Sequence, residues 1–173
     1  KRPKSIDISS ELDQIGAEYN AFTGQEMTGY FAKAQAKNFE TLTDVISDLY
    51  LNPVFDPREI DTERGVIIEE INMYEDTPQR RVQELFISLL YKDQPAGWDI
   101  AGRKEVIKKI NREDFLKYRQ DHYVASAALI VVAGAFDEKE TIEIIKEKFA
   151  EISQDVKKEK AVTAESQTEP EIL

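Results

Sequence analysis

Glu63 and Glu70 lie seven residues apart in the segment Glu59–Tyr74, a spacing that brings two carboxylates to one side of a helix. At 100° per residue they point within about 20° of each other. Val66 and Met73 flank them on one side and Ile60, Ile67, Ile71 and Tyr74 on the other, while Asp61, Thr62, Glu69 and Asn72 make the opposite, wet face. A carboxylate carried on an apolar face must be paired, hydrogen-bonded or bound to a metal if it is to stay ionised away from water. The pair is therefore a candidate metal or catalytic site. The alternative is a narrower buried arc, running only from Tyr74 to Ile71, which leaves both acids in solvent. With 34 Asp and Glu in 173 residues, the spacing also arises readily by chance. Two helical turns separate the two Cα atoms by ~10 Å, too far for both carboxylates to ligate one ion directly, so one would hold a metal and the other would support it.

Other groups offer less. His122 is the sole histidine, and there is no cysteine, so a zinc site made from these residues alone lacks its usual donors. At the end of a helix, His122 is better placed to favour the negative pole of the helix dipole than to ligate. A Ser-His-Asp triad would have to use this same histidine, and no serine sits in a nucleophile-elbow pattern. The run Tyr19–Thr23 has a small residue, Ala21, at its centre, which leaves room for another backbone alongside, as in peptide binding by strand addition. Composition alone favours an ordinary edge strand.

Composition narrows the classes. A net charge of −11 and a pI near 4.7, without a basic stripe, exclude a phosphate-backbone partner such as nucleic acid. The longest apolar run, Ala127–Phe136, is about half of what a bilayer requires, so no membrane span is expected. The absence of cysteine rules out a disulfide-stapled module and leaves the cytoplasm, the expectation taken here, along with most other compartments.

The elements that must position these residues follow from periodicity. Ser5–Ile15 reads as a helix closed by Gly16, and Tyr19–Thr23 with Thr28–Ala34 as a hairpin around Gly24–Met27. Asn38 is placed to cap a helix over Phe39–Tyr50 with Leu42, Val45, Ile46 and Leu49 inward, ended by Asn52-Pro53. Pro57 opens the helix that carries the two glutamates. Gln79–Tyr91 presents Val82, Leu85, Phe86, Leu89 and Leu90 inward and is broken by Asp93–Gly97. Lys104–Ile110 is a short helix, and an Asn111-capped helix runs to His122. Ala127–Phe136 has the character of a strand covered on both faces. Asp137 with Glu140 starts a last helix burying Ile142, Ile145, Phe149 and Ile152. About seven helices and three strands in this order indicate an α+β fold, a small, mainly antiparallel sheet packed by helices. Both ends read as cut. Residues 1–152 form one domain, and the polar stretch 153–173 reads as a linker toward a second domain.

Three collinear stretches, Gly16–Tyr30, Asn52–Ile71 and Arg112–Ser126, together resemble the pitrilysin/insulysin and processing-peptidase family of inverted zinc metallopeptidases. The resemblance covers Lys1 to about Ile152. In that family a helix carries His-x-x-Glu-His, and a further Glu roughly 75 residues later completes the zinc ligands. The resemblance makes Glu70 the metal ligand and Glu63 the supporting acid, and makes Asn20 and Ala21 the edge positions that pair with substrate backbone. It places the His-x-x-Glu-His helix just upstream of Lys1, and these residues contain no such motif. It implies a fragment of a zinc metalloendopeptidase that encloses a peptide or small protein between two similar domains, with zinc as cofactor and a second homologous domain as partner. Without the upstream helix, apolar surface around Ile67 and Tyr74 would invite pairing with another chain, as in a homodimer. The fragment alone would be inactive. The competing readings are a non-catalytic subunit of the family and an acidic peptide-binding module using the edge at Asn20.

Overall fold

The computed structural model describes residues 1–172. Seven α-helices occur among them: α1 (Ser5–Gln14), α2 (Phe39–Leu51), α3 (Pro57–Glu75), α4 (Pro78–Tyr91), α5 (Lys104–Ile107), α6 (Arg112–His122) and α7 (Glu138–Lys148). Two strands, β1 (Glu18–Thr23) and β2 (Thr28–Lys33), pair antiparallel, with Ala21 opposite Tyr30. The fold is thus α+β with a small antiparallel sheet among helices. The chain forms two compact units: Lys1–Val54 with Tyr118–Lys158, and Phe55–Lys117 with the segment from Glu159 onward.

In the first unit α2 is the central element and packs against β2 and α7. Its sequence alternates apolar and small polar residues, and Thr43, Val45, Ser47 and Asp48 are all buried. Thr43 and Ser47 are satisfied by the preceding turn, donating to the carbonyls of Phe39 at 2.9 Å and Asp44 at 3.0 Å. Tyr50, Tyr123 and Phe149 form an aromatic cluster, with ring centroids 5.0 and 6.0 Å from Tyr50. The Tyr123 hydroxyl lies 3.3 Å from that of Tyr30, and burial pushes its pKa well above the ordinary phenol range. α1 closes through Gly16 at φ +64°, the left-handed conformation that glycine adopts without steric cost.

The capping pattern is partly as the sequence indicates. Asp56 accepts from the Arg58 N–H at 2.8 Å ahead of Pro57, and Asp137 accepts from the Glu140 N–H at 3.0 Å. At α6 the Asn111 side chain accepts from the Glu113 and Asp114 N–H groups, and Asp114 accepts from the Asn111 N–H. Asn38 makes no side-chain cap, because a 3-10 turn over Ala36–Asn38 already leads the chain into α2.

Three sequence expectations are corrected. Ala127–Phe136 is not a doubly covered strand: it follows a 3-10 turn at Ala125–Ala127, pairs with no strand among the described residues, and leaves Leu129 and Val131 88% and 77% exposed. A buried strand needs its N–H and C=O groups in a ladder, and β1 and β2 pair only with each other. Val82 and Phe86 of α4, one turn apart, face outward at 60% exposure each. On α7 the buried residue is Thr141, and Ile142 is exposed.

The residues before α1 are held by charge. The Arg2 side chain, 9% exposed, bonds Glu11 at 2.5 and 2.6 Å, Asp44 at 2.9 Å and Asp48 at 3.3 Å. The Arg2 bond holds the Glu11 carboxyl below its usual range. Burial opposes ionisation of Asp44, but bonds from Lys1 and Arg2 outweigh it and leave that carboxyl strongly depressed. Depressed carboxyls contribute stability that is whole above their unfolded pKa, about 4, and lost as pH falls through their folded values. Unfolding in urea should therefore show the wild-type midpoint dropping as pH is lowered below about 4.5. Arg2→Met should be less stable at pH 7 by about 2 kcal/mol, with a shallower acid loss. Parallel pH profiles for the two proteins would contradict this account of the network.

Candidate functional site

α3 has two faces. Pro57 and the Asp56 cap start it, and it packs against α4 and α5 in the second unit. Ile71 is buried, with Ile60, Arg64, Ile67, Ile68 and Tyr74 half-buried beside it. Arg64 stands on this arc between isoleucines and donates to the carbonyls of Ile107 and Ile110, the latter at 2.9 Å, so it satisfies orphan carbonyls at the end of α5. Lys104 at the start of α5 pairs with Glu75 at 2.5 Å. These contacts fix the rotation of α3 about its axis.

That rotation overturns the expectation that Glu63 and Glu70 lie in a buried face. Both are exposed, as are their neighbours Val66 and Met73, at 47% and 55%. The narrower arc is the one that is buried. Thr62, Gly65, Val66, Glu69, Glu70 and Met73 line a shallow, open depression along this outer face. A Cβ added at Gly65 would meet nothing within 4 Å, so there is room above the helix beside Glu70. Glu70 therefore stands as an ionisable oxygen donor on an uncovered apolar surface, one helical face shared with Glu63 two turns earlier.

Asn20 and Ala21 belong to the other unit, on β1. The Gly24 N–H donates to the Met27 carbonyl at 2.8 Å, which makes that pair a hydrogen-bonded one. Such pairs alternate along an antiparallel ladder, so Phe22 and Asn20 bond across to Gly29 and Phe31, and the N–H and C=O of Tyr19, Ala21 and Thr23 turn away from β2. Among the described residues β1 has no second strand neighbour, so these groups line a free edge. The Ala21 N–H is occupied by the side chain of the preceding residue: Asn20 Oδ1 accepts from it at 2.8 Å. Outward-facing N–H and C=O groups of this kind are the ones that pair with an extended peptide in strand addition.

His122 ends α6 with its ring 4.4 Å from Tyr118 and joins no metal-binding group. Among the described residues no set of three or more His, Cys, Asp or Glu could share a metal ion. Sequence reasoning missed Arg64, whose signal was a lone arginine at the i+4 position of an isoleucine stripe. It also missed Arg2, which only the folded chain brings to Asp44 and Asp48. No helix among the described residues is long and apolar enough to cross a membrane.

Known proteins resemble this chain along most of its length. An "Uncharacterized zinc protease" of Rickettsia bellii is 35% identical over 147 residues, which is 85% of this chain and 36% of that protein. The beta subunit of the mitochondrial-processing peptidase of Bos taurus is 32% identical over 151 residues, 87% of this chain and 31% of the subunit. The chain thus spans about a third of the length of these relatives. A protease from Helicobacter pylori, known from its crystal structure, superposes with a TM-score of 0.83 over 98% of this chain and 41% of its own, at 22% identity, which bears out the fold. The sequence model described as Peptidase M16 inactive domain matches residues 109–172. Residues 1–104, more than half of the chain, match the model of the insulinase peptidases, and the protein belongs to that family, peptidase family M16.

Proposed function

We propose that this chain is the part of a zinc metalloendopeptidase that supplies one metal ligand, Glu70, its supporting acid, Glu63, and the strand edge at Asn20 and Ala21 on which a peptide substrate is laid. The observation that carries the reading is the exposure of Glu70 between Val66 and Met73, a carboxylate presented on an uncovered apolar face. The residues present do not make a zinc site by themselves, since Glu70 offers one carboxylate where a catalytic zinc takes three protein ligands. In this proposal the remaining ligands come from a His-x-x-Glu-His helix that precedes these residues in the longer protein and packs on the α3 face. Residues 153–173 lead toward a second, similar domain, and the substrate is a peptide or small protein held between the two. Zinc proteases among the relatives support the peptidase function and the metal. A cytoplasmic setting belongs to the proposal as well, although the bovine relative is mitochondrial.

A non-catalytic subunit is the second reading, favoured by one feature: the free edge of β1 could hold a peptide whether or not a metal is bound.

In the full-length protein, Glu70→Gln should remove most of the bound zinc and the hydrolysis of a fluorogenic peptide, because a neutral amide is a poor ligand and leaves the site one negative charge short. Glu63→Gln should weaken zinc by roughly 10- to 100-fold, the size of effect typical of a group that orients a ligand. Metal analysis after dialysis against graded chelator separates the two. Equal or greater damage from Glu63→Gln would mean the roles are exchanged, and retention of zinc by Glu70→Gln would sink the reading.

Ala21→Pro probes the edge. It deletes an N–H that faces away from β2 and so spares the ladder, while proline is tolerated at a strand edge. Losing one backbone hydrogen bond to substrate should lower kcat/KM about three- to tenfold, mostly through KM, with circular dichroism unchanged. An unaltered KM would remove substrate from this edge.

A further inference from the structure

We propose that Gln94 is a main-chain clasp that fixes the path of the polar segment after Glu159. Its side-chain amide meets the backbone of Ala164 at two points: Nε2 donates to the Ala164 carbonyl at 3.0 Å, and Oε1 accepts from the Ala164 N–H at 2.8 Å. This is the pairing a neighbouring β-strand would make, supplied by one side chain. It reads backbone and not side chain, so it suits an extended stretch without apolar anchors. The segment Ala161–Gln167 is such a stretch, and Val162 within it is 93% exposed, so hydrophobic burial does not hold it.

The clasp is built in advance by the turn after α4. Gln94 Nε2 also donates to the Tyr91 carbonyl at 2.9 Å, and the Gln94 carbonyl accepts from the Gly97 N–H at 2.8 Å, which fixes both its side chain and its main chain. Gly97 is required there, since a Cβ would stand 2.5 Å from the Lys92 carbonyl oxygen. Lys92 itself turns the chain at φ +55°, a conformation non-glycine residues hold only when their surroundings enforce it. Asp93 locks the far side by accepting from the Trp98 indole at 3.0 Å and from Arg103 at 2.9 Å. A second tie, Lys92 to Glu171 at 2.8 Å, is an exposed ion pair and contributes little. The chain beyond Ala164 therefore leaves from a set point at the end of α4, where an unclasped polar segment would behave as a flexible coil.

Amide hydrogen exchange of the 173-residue chain tests this. Ala164 should exchange more slowly than its neighbours in the segment, and Gln94→Ala should accelerate it on the order of tenfold, the worth of a paired hydrogen bond. Cleavage after Glu165 by a glutamyl endopeptidase should rise in parallel. Gln94→Glu, which keeps the shape but sets a carboxylate against the Tyr91 and Ala164 carbonyls, should behave like the alanine variant. Fluorescence of Trp98, the single tryptophan, reports whether the turn survives each change. Should the turn collapse in both, Ala164→Pro removes the donor from the segment side and should raise cleavage after Glu165 without altering Trp98. Ala164 exchanging at the rate of a free chain in the wild type, or unchanged exchange and cleavage in the variants, would overturn the proposal.

Discussion

The rotational setting of α3 is the constraint on which the site depends. An amphipathic helix can bury only one stripe, and the stripe is chosen by Ile60, Ile67 and Ile71 together with an arginine whose charge needs partners. Arg64 finds them in the free carbonyls at the end of α5, a charge-assisted contact that a rotated helix would lose. Once that stripe is packed, Glu63 and Glu70 must point outward together, about a quarter turn away. No further interaction is needed to aim them. Their exposure avoids the desolvation that a buried carboxylate would suffer and leaves Glu70 free to be covered by something that supplies a counter-charge.

The first unit is organised by a comparable economy of polar groups. α2 is surrounded on several sides, and its buried Asp48 and half-buried Asp44 are tolerable only because Arg2, Lys1 and Lys148 reach them. This network fastens the residues before α1 to the central helix, so the chain enters the hairpin from a fixed direction. The hairpin's own register then decides which amides of β1 turn outward, and Asn20 covers the central one with its own side chain. An uncovered edge invites association with other strands, and a short polar cap is one way of blunting it.

The legible parts of the sequence were those governed by local rules. Gly16 marked the end of α1, Pro57 the start of α3, and Asn111 and Asp137 their helix starts, because caps and turns act within four residues. The spacing of Glu63 and Glu70 gave their shared face correctly and their burial wrongly, since periodicity defines which residues lie together and not how wide the packed stripe is. Ala127–Phe136 misled for a related reason: an apolar run states a need for cover, and whether cover exists is a property of neighbours remote in sequence. The ties of Arg2 to Asp44 and Asp48 and of Gln94 to Ala164 were invisible, because they join residues 42 to 70 positions apart. The family resemblance rests on three collinear stretches and not on these local readings, and the insulinase model over residues 1–104 bears it out.

In the proposed reading Glu70 contributes a single ligand to a metal whose other ligands lie outside these residues. Zinc titration of the purified, tag-free 173-residue chain by calorimetry, with metal analysis after gel filtration, tests it most directly. The account predicts no stoichiometric zinc and no difference between the wild type and Glu70→Gln, because one exposed carboxylate cannot hold the ion against water. Tight one-to-one binding that is lost on replacing Glu70 would contradict it and would mean that groups within this chain complete the site.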